Sequence, residues 1–113
     1  MLKTNGKQLM KKVKIANTSW ERMRGLMFEE EKRFDYALVL EMPKEARLES
    51  SIHMMFVFFP IDVLFLNKKR KVVDKVTVQP FIPNYTPKKA AKYVIELPAG
   101  RAKSVRIGST LDW

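Results

Sequence analysis

Ser50-Ser51-Ile52-His53-Met54-Met55-Phe56-Val57-Phe58-Phe59-Pro60-Ile61-Asp62-Val63-Leu64-Phe65-Leu66-Asn67 is the stretch from which the rest of the chain is read. It is the most apolar part of the sequence. It also holds the only histidine, an aspartate inside an apolar run, and a proline at its centre. Residues 52–59 and 61–66 are apolar on both faces of an alternating pattern, so both read as buried strands covered on two sides. Pro60 has no N–H to give to a ladder and marks a bend or bulge between them. One buried helix over 54–59 is the competing reading. The β-branched and aromatic residues there, and Pro60, count against it.

On the C-terminal side, residues 67–70 read as a turn into a strand over 71–79. Val72, Val76 and Val78 face one way there, and Lys75, Thr77 and Gln79 the other, which makes a hairpin with one wet face. Pro80 ends that strand. Residues 81–89, with Pro83, Asn84 and Pro87, read as an extended surface loop. Residues 91–97 alternate, with Tyr93, Ile95 and Leu97 inward and Lys92 and Glu96 outward. Residues 101–105 read as one helical turn, and 107–111 as a short final strand around Gly108.

On the N-terminal side, residues 44–51 read as a loop and 36–42 as a strand ended by Pro43, with Tyr36, Leu38 and Leu40 inward. Residues 29–33 form a charged loop. Thr18 with Glu21 three residues on is a capping-box pattern, so a helix starts there. Trp20, Met23 and Met27 are at helical spacing and face the core, and Gly25 is the stop. Residues 8–15 alternate as a first strand, with Leu9, Val13 and Ile15 on one face. The sum is a mainly β domain (α+β at most). It reads as a compact distorted barrel or two-layer sandwich of six or seven short strands with one short N-terminal helix.

The length of 113 residues suits a single domain spanning 1–113, large enough to bury one apolar core. There is no cysteine, which excludes disulfides, thiolate metal sites and cysteine nucleophiles. Met1–Met10 lacks the apolar run of a secretory signal, and no apolar run is long enough to span a bilayer. A soluble, cytoplasmic protein is expected. The 22 Lys and Arg against 12 Asp and Glu give a net charge of +10, which favours polyanions: nucleic acid, anionic lipid headgroups or acidic proteins.

Three co-linear motifs carry a resemblance. They are Arg24-Gly25-Leu26-Met27-Phe28; Ser51-Ile52-His53 followed by Pro60-Ile61-Asp62-Val63-Leu64-Phe65-Leu66; and Ile95-Glu96-Leu97-Pro98-Ala99-Gly100. In order and spacing the chain resembles the uncharacterised family known as domain of unknown function 192. The resemblance implies a compact, mostly β domain and carries no established activity with it. The chain departs from the family in having Phe81 after Pro80, where a tryptophan is common, and Ser109 after Gly108, where an acid is common.

His53 and Asp62 interrupt apolar strands. A buried carboxylate needs a partner, and Arg24, at the end of the helix, is the expected one, with His53 as another. The bland alternative is that Asp62 caps backbone amides near the Pro60 bend and His53 is a satisfied core residue. Arg24, His53, Asp62 and Glu96 together would form a polar pocket for an anion or a polar small molecule. Ser51, His53 and Asp62 contain the residue types of a hydrolytic triad but lack a nucleophile-elbow pattern, and one histidine with two carboxylates is a poor zinc set. No catalytic residue, metal or cofactor is therefore assigned. Lys68, Lys69, Arg70 and Lys71, and then Lys88, Lys89 and Lys92, are two basic runs able to meet phosphates. The expected function is a small non-catalytic binding or interaction module with an unidentified small ligand or acidic partner. A nucleic-acid-binding accessory protein is the first alternative, and a hydrolase or metal-dependent enzyme the second.

Overall fold

The computed structural model describes residues 1–113. Apolar alternation near the N-terminus builds two sets of short strands. Leu2–Thr4 (β1) and Lys7–Met10 (β2) form a hairpin around Asn5-Gly6, both at positive φ, as a tight two-residue turn requires. Val13–Ala16 (β3) then leaves for a different sheet. The single first strand expected over 8–15 is thus two strands, divided at Lys11-Lys12.

The helix α1, Ser19–Arg24, has the expected capping box. Glu21 N–H donates to Thr18 Oγ1 (3.1 Å), and Thr18 N–H donates back to Glu21 Oε1 (3.2 Å). Its packing is not as expected. Trp20 and Met23 are 65% and 50% exposed, and no residue of α1 is buried. A helix of six residues rests on the sheet through the turn that follows it, where Leu26 is buried.

The remaining strands are Ala37–Ala46 (β4), Ile61–Leu66 (β5), Val72–Val78 (β6), Ala91–Pro98 (β7) and Leu111–Asp112 (β8). They complete a five-stranded sheet in the order β3-β4-β7-β5-β6 and a three-stranded sheet in the order β2-β1-β8. The β3–β4 pair is parallel, and every other neighbouring pair is antiparallel. The larger sheet ends at β3 and β6 without closing, so the fold is a sandwich and not a barrel. Pro43 does not end β4. The strand runs on through it with an irregularity in its pairing to β7 between Glu41 and Ala46, the setting in which a sheet tolerates proline.

Both faces of the larger sheet are covered. Residues of β1, β2 and β8, with Ala102 and Val105, bury Ala37, Val39, Leu64, Leu66, Ile95 and Leu97. On the other face, residues 26–36 and 52–59 lie over Leu38, Leu40, Ile61, Val63, Phe65 and Val94. This second layer corrects the reading of the central stretch. Only Ile61–Leu66 is a strand. Residues 52–59 make one isolated bridge, Ile52 to Tyr85, then a turn at Met55-Phe56 and a bend at Phe59. Ile52, Met54, Val57 and Phe59 point down onto the sheet, and Met55, Phe56 and Phe58 point out. The burial imitates a strand, while the backbone is a lid of loops.

Candidate functional site

Glu96 sits in the middle of β7, paired with Leu38 of β4 and Val63 of β5. Each strand alternates between the two covered faces, so Glu96 projects with Val94 beneath the loop layer. The outward, wet Glu96 expected from simple alternation is not what the chain builds: the residue is 4% exposed. Its Oε1 is buried and has no hydrogen-bond partner. Burial pushes its carboxyl up to about 7.

Above Glu96 passes Gly25, the residue that ends α1. A Cβ there would stand 3.6 Å from Glu96 Oε1, an ordinary contact, so space alone does not demand glycine. The backbone does, with φ +48° and ψ −122°. That conformation turns the chain across the carboxyl and leaves a cavity of about 200 Å³ beside it. The walls come from α1 and its turn (Arg22, Met23, Arg24, Leu26), from β4 (Leu40, Met42) and from the loop layer (Ser51, Ile52, His53, Met54, Val57).

The polar groups of the wall differ in freedom. Arg22 is held, since its Nη1 donates to the carbonyls of Asn17 (2.7 Å) and Glu41 (3.2 Å). Arg24 is exposed and belongs to none of the five ion pairs. His53 is used on both sides. Met55 N–H donates to Nδ1 (3.2 Å), which puts the ring proton on Nε2, 3.0 Å from the Met23 carbonyl that it serves. The histidine therefore fastens the loop layer to α1. Ser51 Oγ pairs with Thr86 Oγ1 at 2.8 Å. On the far side of Arg24 and Gly25 a second groove holds Tyr36, whose hydroxyl donates to Glu29 (2.9 Å). Burial, and then that bond to Glu29, hold the phenol well above its ordinary range.

Asp62 is elsewhere. One position along from Ile61 on β5, it projects to the opposite face of the sheet. There its carboxylate accepts from Gly100 N–H (2.9 Å), Ala102 N–H (3.0 Å) and Thr77 Oγ1 (2.8 Å). The expected Arg24–Asp62 pair does not form. Asp62 does cap backbone amides, but those of the turn after β7, not those of the Pro60 bend. The four expected pocket residues thus divide: Arg24, His53 and Glu96 share one cavity, and Asp62 lies behind the sheet. The Ser51-His53-Asp62 trio does not assemble. No three histidine, aspartate or glutamate side chains gather as a metal-ligand set.

The whole chain, residues 1–113, matches the family model DUF192, described as "Uncharacterized ACR, COG1430". The chain belongs to this family. A UPF0127 protein of Thermococcus sibiricus is 45% identical over 113 residues, covering 98% of this chain and 71% of the relative. The Pyrococcus furiosus protein UPF0127 PF1050 is 38% identical, over 97% of this chain and 93% of its own length. Among solved structures, a protein of unknown function from Novosphingobium aromaticivorans is similar, with a TM-score of 0.80, 21% identity, and coverage of 89% of this chain and 74% of that one. At that identity the likeness speaks for the fold.

In this DUF192 chain the two basic runs differ in character. Lys68, Lys69 and Lys71 are exposed at the β5–β6 turn, but Arg70 lies over the Trp113 ring at 3.8 Å. Lys88 and Lys89 are exposed in the β6–β7 loop, whereas Lys92 donates to the Met42 carbonyl. No helix is long and apolar enough to cross a membrane. The sequence reading missed three buried polar residues: Thr4, Ser50 and, in β6, Asp74. Asp74 accepts from the Tyr85 hydroxyl (2.7 Å) and from Lys88 N–H (3.1 Å), pinning the β6–β7 loop. Burial and that bond to Asp74 push the Tyr85 hydroxyl up to about 12. An acid in an otherwise valine-rich strand was the available signal.

Proposed function

We propose that the protein is a non-catalytic binding module and that the cavity over Glu96 is its site. One observation carries the reading: a carboxyl oxygen buried without a partner, at the wall of a cavity. A buried acceptor left unsatisfied is costly, and a ligand N–H or O–H reaching it would remove that cost. Arg24, uncommitted at the same cavity, suits an acceptor or anionic group at the other end of the ligand. The volume is smaller than the roughly 300–1,000 Å³ of drug-sized pockets, which points to a small polar metabolite. The engagement of both His53 nitrogens and of Ser51 favours binding over catalysis.

The test is a thermal-shift and native mass-spectrometry screen with small amino acids, amines and carboxylates. The reading expects at least one compound to raise the melting temperature of the wild type, with the effect lost in Glu96→Leu, which has no acceptor, and weakened in Arg24→Ala. If no compound in any class binds, or if binding survives both changes, the site is elsewhere.

A second reading, a nucleic-acid-binding accessory protein, draws support from the exposed Lys68, Lys69 and Lys71, which make no ion pair. Binding through phosphates falls steeply with salt and is lost when these three lysines are reversed to glutamate. Affinity indifferent to both would rule it out.

A further inference from the structure

Three turns meet beside the cavity: residues 25–28 after α1, residues 53–59 of the loop layer, and residues 80–82 after β6. Backbone bonds lock them together. Phe28 N–H donates to the Phe56 carbonyl (2.9 Å), Phe81 N–H to the Met54 carbonyl (2.9 Å), and Met54 N–H to the Ile82 carbonyl (2.7 Å). The turns display Phe28, Phe56, Phe58 and Phe81, which are 64%, 42%, 60% and 42% exposed. Phe28 stacks on Phe56 with centroids 5.0 Å apart. Phe81 meets Phe56 and Phe58 edge-on at 6.0 and 5.2 Å. Four rings therefore form one continuous apolar patch, unlike the singly scattered apolar residues normal at a surface.

The backbone beneath the patch is unusual as well. Phe28, Phe56 and Phe81 have φ of +61°, +59° and +62°, a region that bulky L residues rarely adopt. They are three of only five non-glycine residues in the chain with positive φ. Strain of this kind persists where the surroundings enforce it and is concentrated at functional positions. Here it coincides with the exposed rings.

Charge narrows the choice of partner. The chain carries +10 overall, and residues 51–61 and 75–95, which supply two of the three turns, contain no acidic residue. Lys88 and Lys89 are exposed in the second of these segments. Glu29, next to Phe28, is drawn back to the Tyr36 hydroxyl. We propose that the four-phenylalanine patch docks the protein on an anionic lipid surface. The rings enter the boundary between headgroups and acyl chains, and the positive field holds the protein there. Shallow apolar insertion combined with a basic surface is the two-signal arrangement that makes peripheral binding stable. A protein partner is less well matched, because the patch lacks the Trp, Tyr and Arg anchors typical of such interfaces. Stacked bases are less well matched because Phe28 and Phe56 already cover one face of each other.

The experiment is flotation of the purified full chain with vesicles of phosphatidylcholine alone or containing one-third phosphatidylglycerol. It compares wild type with the double variant Phe28→Ser, Phe58→Ser, whose fold is checked by circular dichroism. Both side chains are largely exposed, so the core is untouched. The expected result is flotation with the anionic vesicles only, reduced about tenfold or more in the double variant. Sedimentation velocity without lipid is run in parallel. The proposal is overturned if the wild type does not float. It is equally overturned if the folded double variant floats as well as wild type, which would mean attraction by charge alone. A wild-type dimer that the double variant dissolves, with no flotation, would make the patch a self-interface and also overturn it.

Discussion

Glu96 joins pH to stability. Its folded value of about 7 lies above the ordinary 4.5, so the folded protein keeps a proton that the unfolded chain gives up. The contribution of this group is therefore greatest below pH 4.5 and is lost as pH rises to about 7, a change on the order of 3 kcal/mol. Glu96→Gln has nearly the same shape and does not titrate. Denaturant melts should show the variant gaining on wild type between pH 4.5 and 7, and holding that gain at pH 8. Parallel pH profiles would mean that the carboxyl is already satisfied. This residue also marks a limit of sequence reading. Alternation assigned it to solvent because Ile95 and Leu97 point inward, a rule that holds when one face of a sheet is wet. Here both faces are covered, so the other half of the alternation is buried too. His53 stands in the cavity wall, but its partners are the backbone groups of Met23 and Met55, which carry no sequence signature.

The elements that were legible are those whose identity depends on local pattern. The capping box of α1, the β5–β6 hairpin and the β7 strand all stand where periodicity and turn residues put them. The loop layer over 52–59 was not legible. An apolar run that covers a sheet has the same composition as a strand within it, and which one it becomes depends on whether ladder partners remain. Here β5 is already flanked by β6 and β7, so no place is left beside it. Asp62 shows the same dependence on distant chain. It fastens the turn after β7 to the back of β5, from 38 and 40 residues away. Asp62→Leu would keep much of the volume but remove Oδ2, the shared acceptor of the Gly100 and Ala102 N–H groups, at a cost of about 1–3 kcal/mol for each group left unmet. Hydrogen exchange should quicken at Gly100 and Ala102, and the unfolding midpoint should fall. The cavity on the opposite face should keep its ligand response. Unchanged exchange at those two amides would show that the carboxylate is not what holds the turn.

At the scale of the molecule, β4, β5 and β7 contribute side chains to both apolar clusters. Neither cluster can lose its packing without exposing the sheet that the other needs. We expect one cooperative unfolding unit, with far-UV circular dichroism and tryptophan fluorescence giving coincident transitions. Two separated transitions would show that the layers unfold independently. The placement of the two tryptophans makes the comparison sensitive. Trp20 stands in the open on α1, in the groove shared with Arg24 and Tyr36. Trp113 is packed behind the sheet, with Arg70 over its ring and Tyr93 edge-on at 5.0 Å. Water around the first indole shifts its emission to long wavelength, while the second emits at shorter wavelength. The unlabelled protein thus carries a separate optical reporter on each face, one placed to register events near the cavity and the other to register loosening of the C-terminal strand.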